Sequence, residues 1–99
     1  MNDEWARLEA SVQAQLTRMQ QLSDDLAAIR VRYTAAGGAV TAVVDGSARL
    51  LDLQLSEAVS RMQPAEFTRA VLGAVTAAAQ QALGARSELI AEYNSQASD

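Results

Sequence analysis

Ninety-nine residues, 49% of them apolar, suffice for one domain and are too few for two independent cores. There is no histidine, cysteine or lysine, and twelve acids outnumber eight arginines for a net charge of −4. Disulfides, Cys/His zinc sites, His- or Cys-based catalysis and lysine Schiff bases are excluded. An aromatic share of 4% argues against a stacking platform for single strands, and the acidity has the wrong sign for a generic polyanion binder, leaving room only for a local arginine site.

Residues 2–30 predict one long helix without glycine or proline. Trp5, Leu8, Val12, Gln15, Met19, Leu22, Leu26 and Ile29 recur at alternating spacings of three and four, a heptad seam interrupted only by Gln15. Leu16 widens the stripe. Asn2 or Asp3 suits the N-cap, and Asp3 and Glu4 suit the positive end of the dipole. The start MNDEWARLEA is acidic and lacks an apolar h-region, against a Sec signal peptide. No apolar run approaches the ~18 residues of a membrane span, so no membrane association and a cytoplasmic setting are expected.

The period then changes from 3.5 to 2, predicting strands over about 30–36, 39–45 and 48–55. Gly37-Gly38 suits a two-residue turn that sets Val31, Tyr33 and Ala35 against Val44, Ala42 and Val40. Asp45-Gly46 signals a second hairpin, with Val40 opposite Leu51 for a two-residue turn or Leu53 for a four-residue loop. Either way one face holds Val31, Tyr33, Ala35, Val40, Ala42, Val44, Leu51, Leu53 and Leu55. The other holds Arg30, Arg32, Thr34, Thr41, Asp52 and Gln54, with Val43 and Leu50 as apolar exceptions.

Residues 56–62 read as a connector. Pro64 suits the first turn of a second helix over about 64–93. Phe67, Val71, Ala74, Ala78, Ala82, Ala85, Leu89 and Tyr93 form one stripe, with Leu72, Val75, Leu83 and Ile90 beside it. Gly73 and Gly84 each cost ~1 kcal/mol in a helix interior, tolerable if another backbone packs close there. The tail from Asn94 to Asp99 is expected to fray.

The pattern is α+β: long helix, three-stranded antiparallel meander, long helix, in a single domain over residues 1–99. A 28-residue helix is about 42 Å long, whereas a compact domain of this size has a radius of gyration near ~13 Å. Three short strands cannot cover such helices. An intertwined or helix-packed homodimer is therefore expected, with Trp5, Leu8, Val12, Met19 and Leu22 at its interface. The alternative is antiparallel pairing of the two helices within one chain.

The run Gly37-Gly38-Ala39-Val40-Thr41-Ala42-Val43-Val44-Asp45-Gly46, followed by Leu50, Leu53 and Leu55, resembles the YbaB/EbfC family of bacterial nucleoid-associated proteins. The Gln- and Met-bearing helix before it (Met19-Gln20-Gln21-Leu22) and the Ala-rich helix after it (Ala65–Ala85) extend the resemblance over about residues 5–93. The resemblance implies a homodimer with helices projecting like tweezers from a β core. It also implies double-stranded DNA as partner with little sequence preference, a nucleoid location, and no enzymatic activity, cofactor or small-molecule substrate. Two departures stand out: the Gly/Met/Pro-rich tail of many members is missing, and basic residues are few. Some members resemble accessory proteins of type VII secretion, so a non-enzymatic adaptor dimer without significant DNA binding is the competing reading.

Under the first reading Arg7, Arg18 and Arg86 are the phosphate-contact candidates, since arginine bonds phosphate bidentately. Arg7 and Arg86 are then expected toward the tips of the arms. Against this, Asp3, Glu4 and Glu9 surround Arg7, and Glu88 lies near Arg86, as on any solvated helix face. Arg30 and Arg32 suit either the outer sheet face or the dipole at the end of the first helix. Asp24 and Asp25 point about 100° apart on a helix and make no shared acid site. Gly37-Gly38 lacks phosphate-loop spacing, and Asp45-Gly46 reads as turn chemistry. Gln15 suits either register selection in a dimer or a splayed end of the seam. Trp5 reads as an anchor for a partner helix or, less simply, as a DNA wedge.

Overall fold

The computed structural model describes residues 2–97. In chain order it contains helix α1 (Asn2–Ala27), strands β1 (Arg30–Ala35), β2 (Val40–Asp45) and β3 (Leu50–Leu55), and helix α2 (Pro64–Ala97). Short 3₁₀ turns occupy Ala36–Gly38 and Glu57–Arg61. The α+β meander between two long helices is as the periodicities predict.

α1 stops three residues before the expected Arg30. The Ile29 N–H turns back to the Leu26 carbonyl (3.3 Å), and the Arg30 guanidinium donates to the carbonyls of Ala27 and Ile29 (3.1 and 2.7 Å). A cation thus sits on the negative end of the helix, where orphan carbonyls need donors. At the other end Asp3 and Glu4 lie in the first turn. The N-cap expected at the start of α1 lies outside the described residues.

The sheet order is β1-β2-β3, all antiparallel. In the first hairpin Val31, Tyr33 and Ala35 face Val44, Ala42 and Val40, the expected register. The turn closes around Gly37-Gly38 as expected, with an added distortion at Ala36. Ala36, Gly37 and Gly38 all have positive φ (54°, 62° and 99°), and the Ala39 N–H donates to the Ala36 carbonyl at 3.3 Å. Glycine accepts this backbone freely, while Ala36 must be held in it by its neighbours.

The second hairpin matches neither expected register. Val40 faces Leu55 and Ala42 faces Leu53, and the pairing slips between Val43 and Val44. Two features cause it: a three-residue loop, Gly46–Ala48, and the unpaired Leu51, which moves the pairing one residue further. The Ala48 N–H closes on the Asp45 carbonyl at 3.0 Å, and Ala48 itself is left-handed (φ 65°). A turn followed by a left-handed residue is a common three-residue hairpin. Leu53 and Leu55 keep their predicted face, but Leu51 falls at the bulge.

Ala74, Ala78 and Ala82 of α2 are fully buried against a cluster that includes the fully buried Val40, Ala42 and Val44. Alanine against a small aliphatic floor lets the helix lie close to the sheet. α2 covers β1 and β2 and leaves β3 to one side, so Leu51 and Leu55 are exposed rather than core. Gly73 and Gly84 meet no other backbone: a Cβ at either would have nothing within 4 Å. Gly46 is the tight glycine, where a Cβ would stand 3.0 Å from the Leu26 carbonyl oxygen. The tail expected to fray continues instead as α2 to Ala97; residues 98–99 lie outside the described residues.

The molecule measures 75 × 18 × 16 Å, with a radius of gyration of 20.6 Å, against ~13 Å for a compact chain of this length. Its surface of 7091 Å² exceeds the ~5,400 Å² expected of a folded monomer of 10.5 kDa.

Candidate nucleic-acid interface

α1 and α2 run antiparallel, but only over a short overlap. Arg18, Gln21, Leu22 and Asp25 face Leu89, Glu92, Tyr93 and Gln96 across a groove of about 260 Å³. Residues 3–17 of α1 are all exposed and form an arm about 22 Å long. At ~100° per residue, the residues of α1 that meet α2 centre about 130° around the helix from the Trp5–Met19 part of the seam, and Leu22 alone belongs to both seam and contact. Trp5 is accordingly 68% exposed, and Leu8, Val12, Leu16 and Met19 are each at least 46% exposed. Packing within the chain therefore covers the seam from Leu22 onward and leaves its part from Trp5 to Met19 open. Of the expected interface residues Trp5, Leu8, Val12 and Met19 stand free, while Leu22 is half-buried in the groove against α2.

The three arginines singled out are not gathered at one point. Arg7 is exposed on the arm. Arg18 lies eleven residues on, about 16 Å along the axis and only ~20° away around it, so both occupy one line of α1. Arg18 is half-buried in the groove, and its Nε is shielded from solvent with no hydrogen-bond partner. Arg86 is half-buried on α2, about 16 Å short of Ala97 rather than at an arm tip.

The remaining polar candidates are engaged locally. The Arg32 guanidinium donates to Gln54 Oε1 across the sheet (2.8 Å), and Gln54 Nε2 donates to Asp52 (2.9 Å). Asp24 and Asp25 each accept from a glutamine one turn earlier, Gln20 and Gln21 (3.1 and 2.9 Å), so they form no joint site. Asp45 accepts from the backbone N–H groups of Ser47 and Arg49 (both 2.9 Å) and pairs with the Arg49 Nε at 3.4 Å. The Arg49 N–H bond is the main reason its carboxyl is held below the ordinary 3.8. Asp45 is thus turn chemistry, as expected. Among the described residues no group of three or more acids is placed to hold a metal, and no helix is long and apolar enough to cross a membrane.

A second stripe lies on α2. Leu72, Val75, Ala79, Leu83, Arg86 and Ile90 follow spacings of 3, 4, 4, 3 and 4, and are turned away from the buried Ala74-Ala78-Ala82 line. Leu72 is 61% exposed and Leu83 is 49% exposed. Four members of this stripe are legible in the sequence as neighbours of the core line. Arg69, exposed beside it, is the residue that sequence reasoning passes over, because a lone arginine on an Ala-rich helix carries no motif.

The model of the YbaB/EbfC DNA-binding family matches residues 1–97 of the chain. No curated protein matches it significantly. Among solved structures, the uncharacterized protein HP0035 from Helicobacter pylori is similar in fold. Its TM-score is 0.65 at 17% identity, over 88% of this chain and 92% of that one.

Proposed function

Because this chain belongs to the YbaB/EbfC DNA-binding family, we propose that it acts in the nucleoid as a homodimer that binds double-stranded DNA with little sequence specificity, through arginines borne on its helices. The family match over residues 1–97 carries the reading. Arg7 and Arg18 on one line of α1, with Arg86 on α2, are the proposed phosphate contacts. Few side chains near them are suited to reading base edges, so backbone contact dominates. Dimerisation is supported by the excess surface. About 1,600 Å² per chain beyond the monomer expectation amounts to ~3,300 Å² for two copies, the size of an obligate interface.

The net charge of −4 doubles to −8 in a dimer, so contact with DNA is local and sensitive to salt. A second reading, a protein-binding adaptor dimer, is favoured by the carboxylates of Asp3 and Glu4, one turn before Arg7 on the same side of α1. Fluorescence anisotropy with a random duplex at ~50 mM salt separates the two. Micromolar protein should bind, since non-specific binders reach ~10⁻⁴–10⁻⁶ M even at physiological salt. No binding at low salt would leave the adaptor reading.

A further inference from the structure

The groove where α1 overlaps α2 holds charges of both signs that do not neutralise each other. Arg18 is half-buried at its outer end, with Nε shielded from solvent and without a hydrogen-bond partner. Among the described residues the one ion pair joins Arg49 to Asp45, so no carboxylate is paired with Arg18. Yet two carboxylates line the same groove. Asp25 lies two turns on, about 10 Å along α1, and accepts from Gln21 Nε2 at 2.9 Å. Leu26 and Leu89 both pack on the core, so the Asp25 end is the end nearest the sheet. Glu92, three residues beyond Leu89, therefore lies between the levels of Asp25 and Arg18. Its carboxylate is exposed and unpaired. Leu22, Leu89 and Tyr93, all half-buried, are the apolar part of the lining.

We propose that this groove is a binding site for a small zwitterion, a free amino acid with a large apolar side chain. Its carboxylate supplies the acceptor that the Arg18 Nε–H lacks, in a charge-assisted bond. Its ammonium group meets Glu92, and its side chain covers Leu22, Leu89 and Tyr93. Other charge types fit worse. A phosphate or nucleotide brings further negative charge to a groove with one arginine and two carboxylates. A diamine leaves Arg18 Nε without an acceptor and sets a second cation beside it. A neutral apolar molecule strips water from all three charges and pairs none of them. The cavity of about 260 Å³ is below the ~300–1,000 Å³ of sites for drug-sized ligands, as a ligand of one residue requires. Arg18 is shared with the phosphate contact proposed above, but the site does not depend on that contact and is tested without DNA.

The test titrates isotope-labelled full-length protein with L-leucine and with L-phenylalanine and follows the amide chemical shifts. At least one of the two should bind with a Kd below ~1 mM, with the shift changes centred on residues 18–25 and 89–96. N-acetyl-L-leucine keeps the carboxylate and loses the ammonium, and L-leucine methyl ester does the reverse. Each should bind about tenfold more weakly than the free amino acid, or worse. Arg18→Gln and Glu92→Gln each remove one charge and should weaken binding about tenfold or more, whereas Glu9→Gln on the free arm should leave it unchanged. Glutamine is about as good a helix former as arginine or glutamate, and circular dichroism checks that each variant folds. The site is overturned if neither amino acid gives a saturable shift, or if the changes centre elsewhere. It is equally overturned if a capped derivative binds as well as the free amino acid, or if Arg18→Gln binds as well as wild type.

Discussion

Removal of Arg7 measures how much of the DNA contact rests on the arm. Arg7 is exposed and lies on the side of α1 away from the apolar stripe, so Arg7→Ala should alter neither fold nor dimer. A dimer duplicates Arg7, Arg18 and Arg86, giving six proposed phosphate contacts. Each contributes about −0.9 to the slope of log affinity against log salt, or about −5.4 in total. Between ~50 and ~200 mM salt the wild-type affinity should then fall about 1,800-fold. Arg7→Ala removes two of the six contacts, so its slope should be near −3.6 and the same change of salt should cost only about 150-fold. Anisotropy titrations of one duplex at four or five salt concentrations give both slopes, and a second duplex of unrelated sequence should give the same pair. An Arg7→Ala slope equal to that of wild type would refute the reasoning, because the arm would then be neutralising no phosphate.

Other expectations concern the scaffold. Gly73→Ala and Gly84→Ala should each stabilise the chain by about 0.5–1 kcal/mol in thermal or urea unfolding, since both sites are helical with open space around the new methyl group; a destabilised variant would mean that a partner backbone packs there. Gly46→Ala should destabilise, because its Cβ would press on the Leu26 carbonyl. Ala78→Leu forces extra methylenes between α2 and the sheet at a fully buried position and should cost about 1–3 kcal/mol; a neutral result would mean that helix and sheet are not in close contact. Asp45, held below its ordinary 3.8, supports stability that is full above that value and is lost as pH falls through the lower folded value. Asp45→Asn should therefore be less stable than wild type near pH 6, and the gap in melting temperature should close as pH drops below about 4. A gap that is constant with pH would remove the charge from the explanation.

The element order was legible because each segment carries one clean period: 3.5 in α1, 2 in the strands, 3.6 in α2. The first hairpin register followed from the Gly37-Gly38 turn. The second did not, because neither the left-handed backbone of Ala48 nor the bulge at Leu51 is advertised by a side chain, and each moves the pairing by one residue. The fate of Leu51 and Leu55 was also hidden. Alternation marks a face as apolar but does not say whether one helix is broad enough to cover three strands. Gly73 and Gly84 misled for a related reason, as a costly helical glycine implies a neighbour that the single chain does not provide. For the interface, arginine positions were readable, but whether a guanidinium faces water, a groove or a partner depends on where the helices overlap.

The free arm has a thermodynamic consequence of its own. Residues 3–17 of α1 form a helix with no tertiary cover, and a helix of this length is marginal in water unless something packs against it. Its order is therefore coupled to association. Helical content should fall on dilution through the dimer dissociation range, and the amide protons of the arm should exchange far faster than those of Ala74–Ala82 at low protein concentration and converge toward them as the protein is concentrated.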